Sequence, residues 1–349
     1  MLIGERYLMN THEGKIRRFS IYILIIIVAL FFLVSCRTPE NGTPGDGNKL
    51  PAKKLLIVGH RGAAGLAPEN TLAAFGKACE LGVDAVELDV LLTLDGKIAV
   101  HHDYTLKSEI TRTPDGEWLN RPGSAIKDLT LAQLKTYDVG RLKPNTRYSR
   151  RYPEQQPADG ERIPNLGEVI SMIEAKCGPA NQLWVEIKTN PEKPHLTPAP
   201  TSVADAVVKL LREQDFVGRV RILSFDWRGL IHIQKIAPEI PTVYLSLVGR
   251  GLNNIKPGQP GPSPWMAGYD IDDFQGSIPQ AVKAAGGLYW APYYKHTTDN
   301  LLKEAHELGL QVYVWTVDSS SEIVRMIEMG VDGIITNRPD ILKAVVGLR

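Results

Sequence analysis

The sequence predicts an α/β chain closed into a (β/α)8 TIM barrel, with one long segment inserted after a hairpin on the second strand. Three observations predict it. From Leu55 onward, short apolar runs alternate with helical patterns, which favours a parallel sheet covered on both faces. Nine such runs occur, and one reads as the return strand of a hairpin, which leaves eight for a closed barrel. No GxGxxG follows the first run, so an open dinucleotide-binding sheet lacks its signature.

The first element in chain order stands outside that fold. Lys15, Arg17 and Arg18 precede an apolar run from Ile21 to Val34, which ends in Leu33-Val34-Ser35-Cys36. The run is short for a bilayer span of roughly 20 residues. It suits a signal-peptide core of about 7–15 residues. Residues 1–35 therefore read as a signal peptide, and their end resembles a bacterial lipobox in which Cys36 is lipidated. An uncleaved signal anchor is the alternative reading, and a start at Met9 would leave a more usual basic leader. Residues 36–52 then form a flexible tether rich in Gly, Pro and Asn. The expected location is the cell envelope, with the membrane as a partner through the lipid anchor, facing the periplasm or exterior.

The barrel domain is expected over residues 53–349. Its first strand, LLIV (55–58), leads into HRGAAGLAPENTLAAF (60–75). Two further strands, AVELDV (85–90) and IAVHH (98–102), bracket Asp95-Gly96, a strong two-residue turn signal. The rhythm then breaks from Asp103 to Pro164, a polar insertion rich in Arg, Pro and Gly with one helix signal at 128–137. Such inserts at a barrel mouth are commonly lids or specificity elements. For residues 141–162 a disordered surface loop is the competing expectation. Strands resume at 183–188, 220–225, 242–247, 287–292, 311–317 and 332–336. The helices SVADAVVKLLREQ and TDNLLKEAHELG each begin near a Ser, Thr or Asp able to cap them.

With 349 residues, 43% of them hydrophobic, the chain can bury a sizeable core. Its net charge of +1 gives no electrostatic case for nucleic acid. Cys79 and Cys177 fall on two helices far apart in sequence, and are expected as small buried side chains rather than a bridge.

In a barrel, functional groups collect at the C-terminal ends of the strands. There the sequence puts His60-Arg61, Glu87-x-Asp89, His102-Asp103, Glu186-x-Lys188, Trp315 with Asp318, and Asn337. Strand residues two apart point the same way, so Glu87 and Asp89 project together from an apolar strand. Two such carboxylates repel, and a cation resolves the repulsion. If Asp95 and Gly96 centre the turn, Leu94 pairs with Lys97 and Asp89 falls opposite His102. His102 then shares the carboxylate face, while His101 points away as a structural histidine. Glu186 adds a third carboxylate. This all-oxygen set suits Ca²⁺ or Mg²⁺ rather than zinc or copper. Gly62 and Gly65 are expected to let the backbone make a close turn there.

The blocks GHRGAAGLAPENTLAAF, VELDVLLTLDGKIAVHHD, VEIK, VYVWTVD and DGIITNRPD together resemble the motif series of the glycerophosphodiester phosphodiesterase family. The series runs from Gly59 to Asp340, and DVGRLKP in the insertion resembles the cap of bacterial members. The resemblance implies a (β/α)8 barrel, a divalent cation, and cleavage of glycerophosphodiesters to glycerol 3-phosphate and an alcohol. It implies His60 and His102 as catalytic histidines and Glu87, Asp89 and Glu186 as metal ligands. Substrate contacts implied in the same way are Arg61 for phosphate, Lys188, Glu69 near the metal, and Trp315 beside the glycerol. Asn337 departs from the pattern, where an acid is expected. Two other functions fit the chemistry less fully. One is phospholipase D-like hydrolysis of lysophospholipids, and the other is a non-catalytic lipoprotein that binds phosphodiesters.

Overall fold

The computed structural model describes residues 54–249 and 251–348. The signal peptide, Cys36 and the tether lie outside the described residues. Among the described residues, no helix is long and apolar enough to cross a membrane.

Nine strands form at the nine apolar runs: β1 (Leu56–Gly59), β2 (Ala85–Leu92), β3 (Ile98–Val100), β4 (Gln182–Ile187), β5 (Val220–Ser224), β6 (Thr242–Ser246), β7 (Tyr289–Pro292), β8 (Gln311–Val314) and β9 (Gly333–Thr336). Eight are parallel and close into a ring, because β1 pairs with both β2 and β9. The remaining strand, β3, lies antiparallel on the far end of β2. This is the expected barrel with its hairpin return.

Strand alternation sorts the side chains into two cores. Val58, Ala85, Trp184, Leu223, Tyr313 and Ile335 fill the barrel interior. The intervening Val86, Val185, Ile222, Val312 and Ile334 face the surrounding helices. Those helices are α1 (Leu72–Glu80), α2 (Leu131–Leu134), α3 (Leu166–Lys176), α4 (Pro200–Glu213), α5 (Trp227–Ile236), α6 (Ile278–Ala284), α7 (Asp299–Glu307), α8 (Ser320–Met329) and α9 (Pro339–Gly347). Thr298 caps α7 as expected, accepting from the Leu301 N–H. Helix α4 begins earlier than its expected cap. It starts at Pro200 after Ala199, which makes no side-chain cap bond, so Ser202 falls inside the first turn. Proline at the first position explains this, since its fixed φ suits a helix start and it has no N–H to satisfy.

Three further expectations are corrected. Cys79, in the last turn of α1, is disulfide-bonded to Cys177, the C-terminal cap of α3, with Cα atoms 5.1 Å apart. Sequence distance hid the pairing because the β3 return and the insertion bring α3 back beside α1. The hairpin register is also shifted by one residue. Leu91 pairs with Ala99 and Leu92 with Ile98, which puts Asp89 opposite His101, not His102. The loop has three residues, closed by Thr93 and Lys97, with Gly96 at φ 69°. A type I turn followed by a left-handed glycine produces this geometry. Finally, the helix signal at 128–137 yields only the single turn of α2 and a preceding 3₁₀ turn.

The insertion is folded over residues 141–162 as well. Leu106, Ile126, Leu134, Val139 and Ile163 pack with Leu91 and Ala99 into a small separate core on the hairpin. Gln155 Nε2 donates to Ala64 O at 2.7 Å, and Gln156 N donates to Leu66 O at 2.9 Å, which ties the segment to the β1–α1 loop.

Candidate active site

Every group at the mouth is carried there by strand register. Val58 of β1 is level with Ala85 of β2 and Ile335 of β9, so two residues on, His60 stands between Glu87 and Asn337. Asp89 is level with Glu186 on β4. Beyond His60 the chain reverses through two left-handed residues, Arg61 at φ 49° and Gly62 at φ 86°. A non-glycine residue there is uncommon and costs conformational energy, and such residues collect at functional sites. Close packing requires glycine at both 62 and 65. A Cβ on Gly62 would lie 2.5 Å from the Ala74 carbonyl carbon, and one on Gly65 would lie 2.7 Å from Asn337 O.

Glu87, Asp89 and Glu186 each offer an oxygen within 4.8 Å of the others, and all three are buried. Burial and the neighbouring Asp89 and Glu186 charges push the Glu87 carboxyl well above its usual range. Burial, with Asp89 adding to it, raises Glu186 to about 7. Asp89 is held well below its usual range despite burial, by His102, Arg61 and Lys188. Its Oδ1 has no hydrogen-bond partner. Mutually repelling hard oxygens with an orphaned acceptor among them fit a divalent cation.

Two cations brace this cluster. Lys188 Nζ donates to Glu186 Oε1 at 2.7 Å and lies 3.5 Å from Asp89 Oδ1. Burial opposes its charge, but Glu186 and Asp89 keep its pKa raised. The Arg61 N–H donates to Glu87 Oε2 at 2.8 Å, and its Nη1 donates to Glu69 Oε1 at 2.9 Å. Its Nε lies 3.2 Å from Asp89 Oδ2. Glu69 thus stands behind Arg61 rather than in the carboxylate cluster. Arg61 and Lys107 hold it near 2 against burial. Asn70 Nδ2 donates to Asp89 Oδ2 at 2.9 Å, and Asn70 Oδ1 accepts from the Asp89 N–H.

Both histidines are anchored through Nδ1. Asn337 Nδ2 donates to Asp318 Oδ2 at 2.8 Å, which turns the Asn337 oxygen toward His60 Nδ1, 2.7 Å away. An amide oxygen only accepts, so Nδ1 carries the proton and Nε2 is the free nitrogen. That Nε2 lies 4.0 Å from Glu87 Oε2. The expected acid at position 337 is thus replaced by an amide that relays to Asp318. His102 Nδ1 pairs with Asp103 Oδ1 at 2.5 Å. Burial and the Arg61 charge lower both rings to about 4, and Lys188 contributes at His102. His101 is buried, with Nε2 3.3 Å from Thr105 O, and takes no part in the cavity lining.

A cavity of about 240 Å³ opens over this set. His60, Arg61, Glu87, His102, Glu186 and Asn337 form its polar floor, and Leu223, Phe225, Leu245, Trp315 and Ile335 its apolar flank. The Trp315 Nε1 donates to Ala291 O at 2.8 Å, and its ring meets Phe225 edge-on at 5.4 Å. The opposite flank comes from the insertion: Lys107, Tyr148, Arg151 and Tyr152. The Tyr148 hydroxyl donates to Glu69 Oε2.

The model of the glycerophosphoryl diester phosphodiesterase family matches residues 60–341. The chain belongs to this family. A glycerophosphodiester phosphodiesterase of Caldanaerobacter subterraneus is 32% identical over 289 residues, covering 83% of this chain and 96% of the relative. A Bacillus subtilis glycerophosphodiester phosphodiesterase is 27% identical over 333 residues, or 93% of this chain and 97% of that one. Among solved structures, a Silicibacter pomeroyi protein assigned to this activity matches with TM-score 0.75 and 35% identity, over 85% of this chain and 94% of its own. An Oleispira antarctica phosphodiesterase, in complex with the product sn-glycerol-3-phosphate, shares the fold with TM-score 0.60 and 22% identity, over 84% and 96%.

In this glycerophosphodiester phosphodiesterase family member, the sequence-derived candidates His60, Arg61, Glu69, Glu87, Asp89, His102, Glu186, Lys188 and Trp315 all converge on the mouth. Cys36 lies outside the described residues. His102 reaches the site although its register was misread, because β3 ends at Val100 and the chain turns inward after it. Sequence reasoning missed Asn70 and the insertion's Lys107, Tyr148, Arg151 and Tyr152. Around these four residues the insertion has no strand or helix period to orient its side chains. The only signal was a tyrosine pair four apart, Tyr148 and Tyr152, beside Arg150-Arg151.

Proposed function

We infer that this family member hydrolyses glycerophosphodiesters to sn-glycerol 3-phosphate and an alcohol, using a divalent cation, Ca²⁺ or Mg²⁺. The observation that carries the reading is the meeting of two Nδ1-anchored histidines over one buried carboxylate cluster. Binding alone needs no such pair of proton-transfer groups. The product held by the Oleispira antarctica relative supports the same substrate class.

Glu87, Asp89 and Glu186 would hold the cation, which when bound supplies positive charge against the non-bridging phosphate oxygens. Arg61 spends Nη1 on Glu69 and directs Nε at Asp89, so Nη2 is the donor left for a phosphate oxygen. One imidazole Nε2 takes the proton from the attacking oxygen: that of water, which yields glycerol 3-phosphate directly, or that of the glycerol hydroxyl next to the phosphate, which yields a cyclic glycerol phosphate that water then opens. As the new P–O bond forms and the bond to the alcohol breaks, the other Nε2 gives a proton to the departing oxygen. Both rings are neutral above pH 4 in the free protein, so the base is ready at neutral pH. The anionic substrate then favours protonation of the ring that serves as acid.

We propose too that residues 1–35 are removed and that lipidated Cys36 tethers the barrel to the envelope membrane. Support comes from the apolar run, the lipobox-like end and the Cys79–Cys177 bridge, since disulfides persist in oxidising compartments. Cys36→Ala should move the protein from the membrane to the soluble fraction.

The lysophospholipid reading gains little from the insertion flank, where two cations and two tyrosines make a poor surface for an acyl chain. Phosphorus NMR of glycerophosphocholine with the purified protein tests the main reading. Equal release of glycerol 3-phosphate and choline is expected. Tight binding without release would favour the non-catalytic lipoprotein instead.

A further inference from the structure

The cavity has two unlike flanks, and a phosphodiester has two unlike arms. The strand-built flank of Leu223, Phe225, Leu245, Trp315 and Ile335 carries no charge and suits the small uncharged glycerol arm. The insertion flank is cationic. Lys107 Nζ stands 3.6 Å from the Tyr148 ring centroid and only 3.7 Å from Asp103, which already holds His102. The Arg151 guanidinium lies 5.7 Å from the Tyr148 and Tyr152 rings. Among the described residues, no carboxylate pairs with Arg151. Glu69, which accepts from the Tyr148 hydroxyl, is paired with Arg61.

We propose that Lys107, Arg151, Tyr148 and Tyr152 form the subsite for the leaving alcohol, and that it selects alcohols bearing their own negative charge. The inference rests on the phosphodiesterase reading above. A quaternary ammonium is recognised by open aromatic faces. Here the protein's own ammonium covers Tyr148, and its guanidinium stands beside both rings. A cationic head group would meet two like charges, whereas a phosphate or carboxylate on the alcohol would meet two partners. The guanidinium presents donors that match an anionic oxygen pair.

The test compares glycerophosphoinositol 4-phosphate, glycerophosphoinositol and glycerophosphocholine. The first two differ by one phosphate group on the alcohol. In low salt, kcat/KM should favour the phosphorylated inositol over the plain one by about two- to fivefold, the size of one partly screened ion pair. Glycerophosphocholine should be the slowest. The ratio should shrink as salt rises, because the pair is open to solvent. Arg151→Glu should reverse the order of the charged substrates, and Arg151→Gln should flatten it. Arg151 is exposed, so these variants are expected to fold, and circular dichroism checks this. Equal kcat/KM for all three substrates, a preference for glycerophosphocholine, or a ratio untouched by Arg151→Glu would overturn the proposal while leaving the phosphodiesterase reading intact. Release of glycerol 3-phosphate from none of them would overturn that reading, and this subsite with it.

Discussion

The two ends of the barrel both hold charge, half-buried at one and buried at the other, and they do so in opposite ways. Toward the N-terminal ends of the strands, Arg221 sits within 5.3 Å of the Trp184, Tyr289 and Tyr313 ring centroids and donates to the Tyr313 hydroxyl at 2.8 Å. That cation is satisfied by neutral partners, through ring quadrupoles and one hydrogen bond. At the C-terminal mouth, three carboxylates crowd together, Asp89 Oδ1 and Arg61 Nε lack hydrogen-bond partners, and Arg61 is left-handed. One end is complete as it stands. The other is arranged for groups that arrive later, namely a cation and an anionic substrate.

The sharpest way to break this contrast is at the mouth. His60→Ala or His102→Ala should lower turnover by roughly 10²–10⁴-fold each, as loss of a general acid or base does. Circular dichroism should stay unchanged. Near-normal turnover in either variant would remove that histidine from the chemistry.

A second comparison separates stability from chemistry. The Cys79–Cys177 bridge closes a sequence separation of 98 residues far from the reacting groups. Cys79→Ser with Cys177→Ser should cost about 2–5 kcal/mol in denaturant unfolding. Turnover at 25 °C should be unchanged, and a parallel fall in kcat would show that the bridge holds the mouth.

The carboxylate cluster makes a pH-dependent prediction. Without a cation, folding raises Glu186 from its ordinary 4.5 to about 7. A group raised in the folded state stabilises fully below its unfolded pKa, and that contribution is lost as pH rises through 7. Cation binding offsets the burial of charge, and the added Asp89 repulsion, behind the loss. The rise in Tm on adding Ca²⁺ or Mg²⁺ should therefore be larger at pH 8 than at pH 5. An equal rise at both values would mean that the cation binds elsewhere.

The smallest effect belongs to the closed end. Arg221→Leu should reduce stability by about 1–3 kcal/mol through lost ring and hydroxyl contacts. Its kcat/KM should match that of the unaltered protein. A marked loss of activity would mean that the two ends are coupled.

How much of this was legible follows the periodicity of each element. Glu87 with Asp89, and Glu186 with Lys188, were readable because a strand fixes the direction of every second side chain. All nine strands were readable as short apolar runs between helical patterns. The hairpin register was not, because Asp95-Gly96 is compatible with loops of two or three residues, and one residue shifts every pair. The disulfide depended on which helices become neighbours, which local sequence does not encode. Lys107, Tyr148, Arg151 and Tyr152 lie in irregular backbone, where only tertiary anchors such as Gln155 on Ala64 decide which side chains face the site.

Turnover should depend on one cation held by Glu87, Asp89 and Glu186. Calorimetric titration of the chelated protein with Ca²⁺ and with Mg²⁺, alongside turnover at each cation concentration, tests it most directly. Activity, absent after chelation, should return in step with occupancy of one site, and Glu186→Gln should weaken this binding at least ~10-fold. Full turnover in chelator, or Glu186→Gln binding and turning over like the unaltered protein, would contradict it.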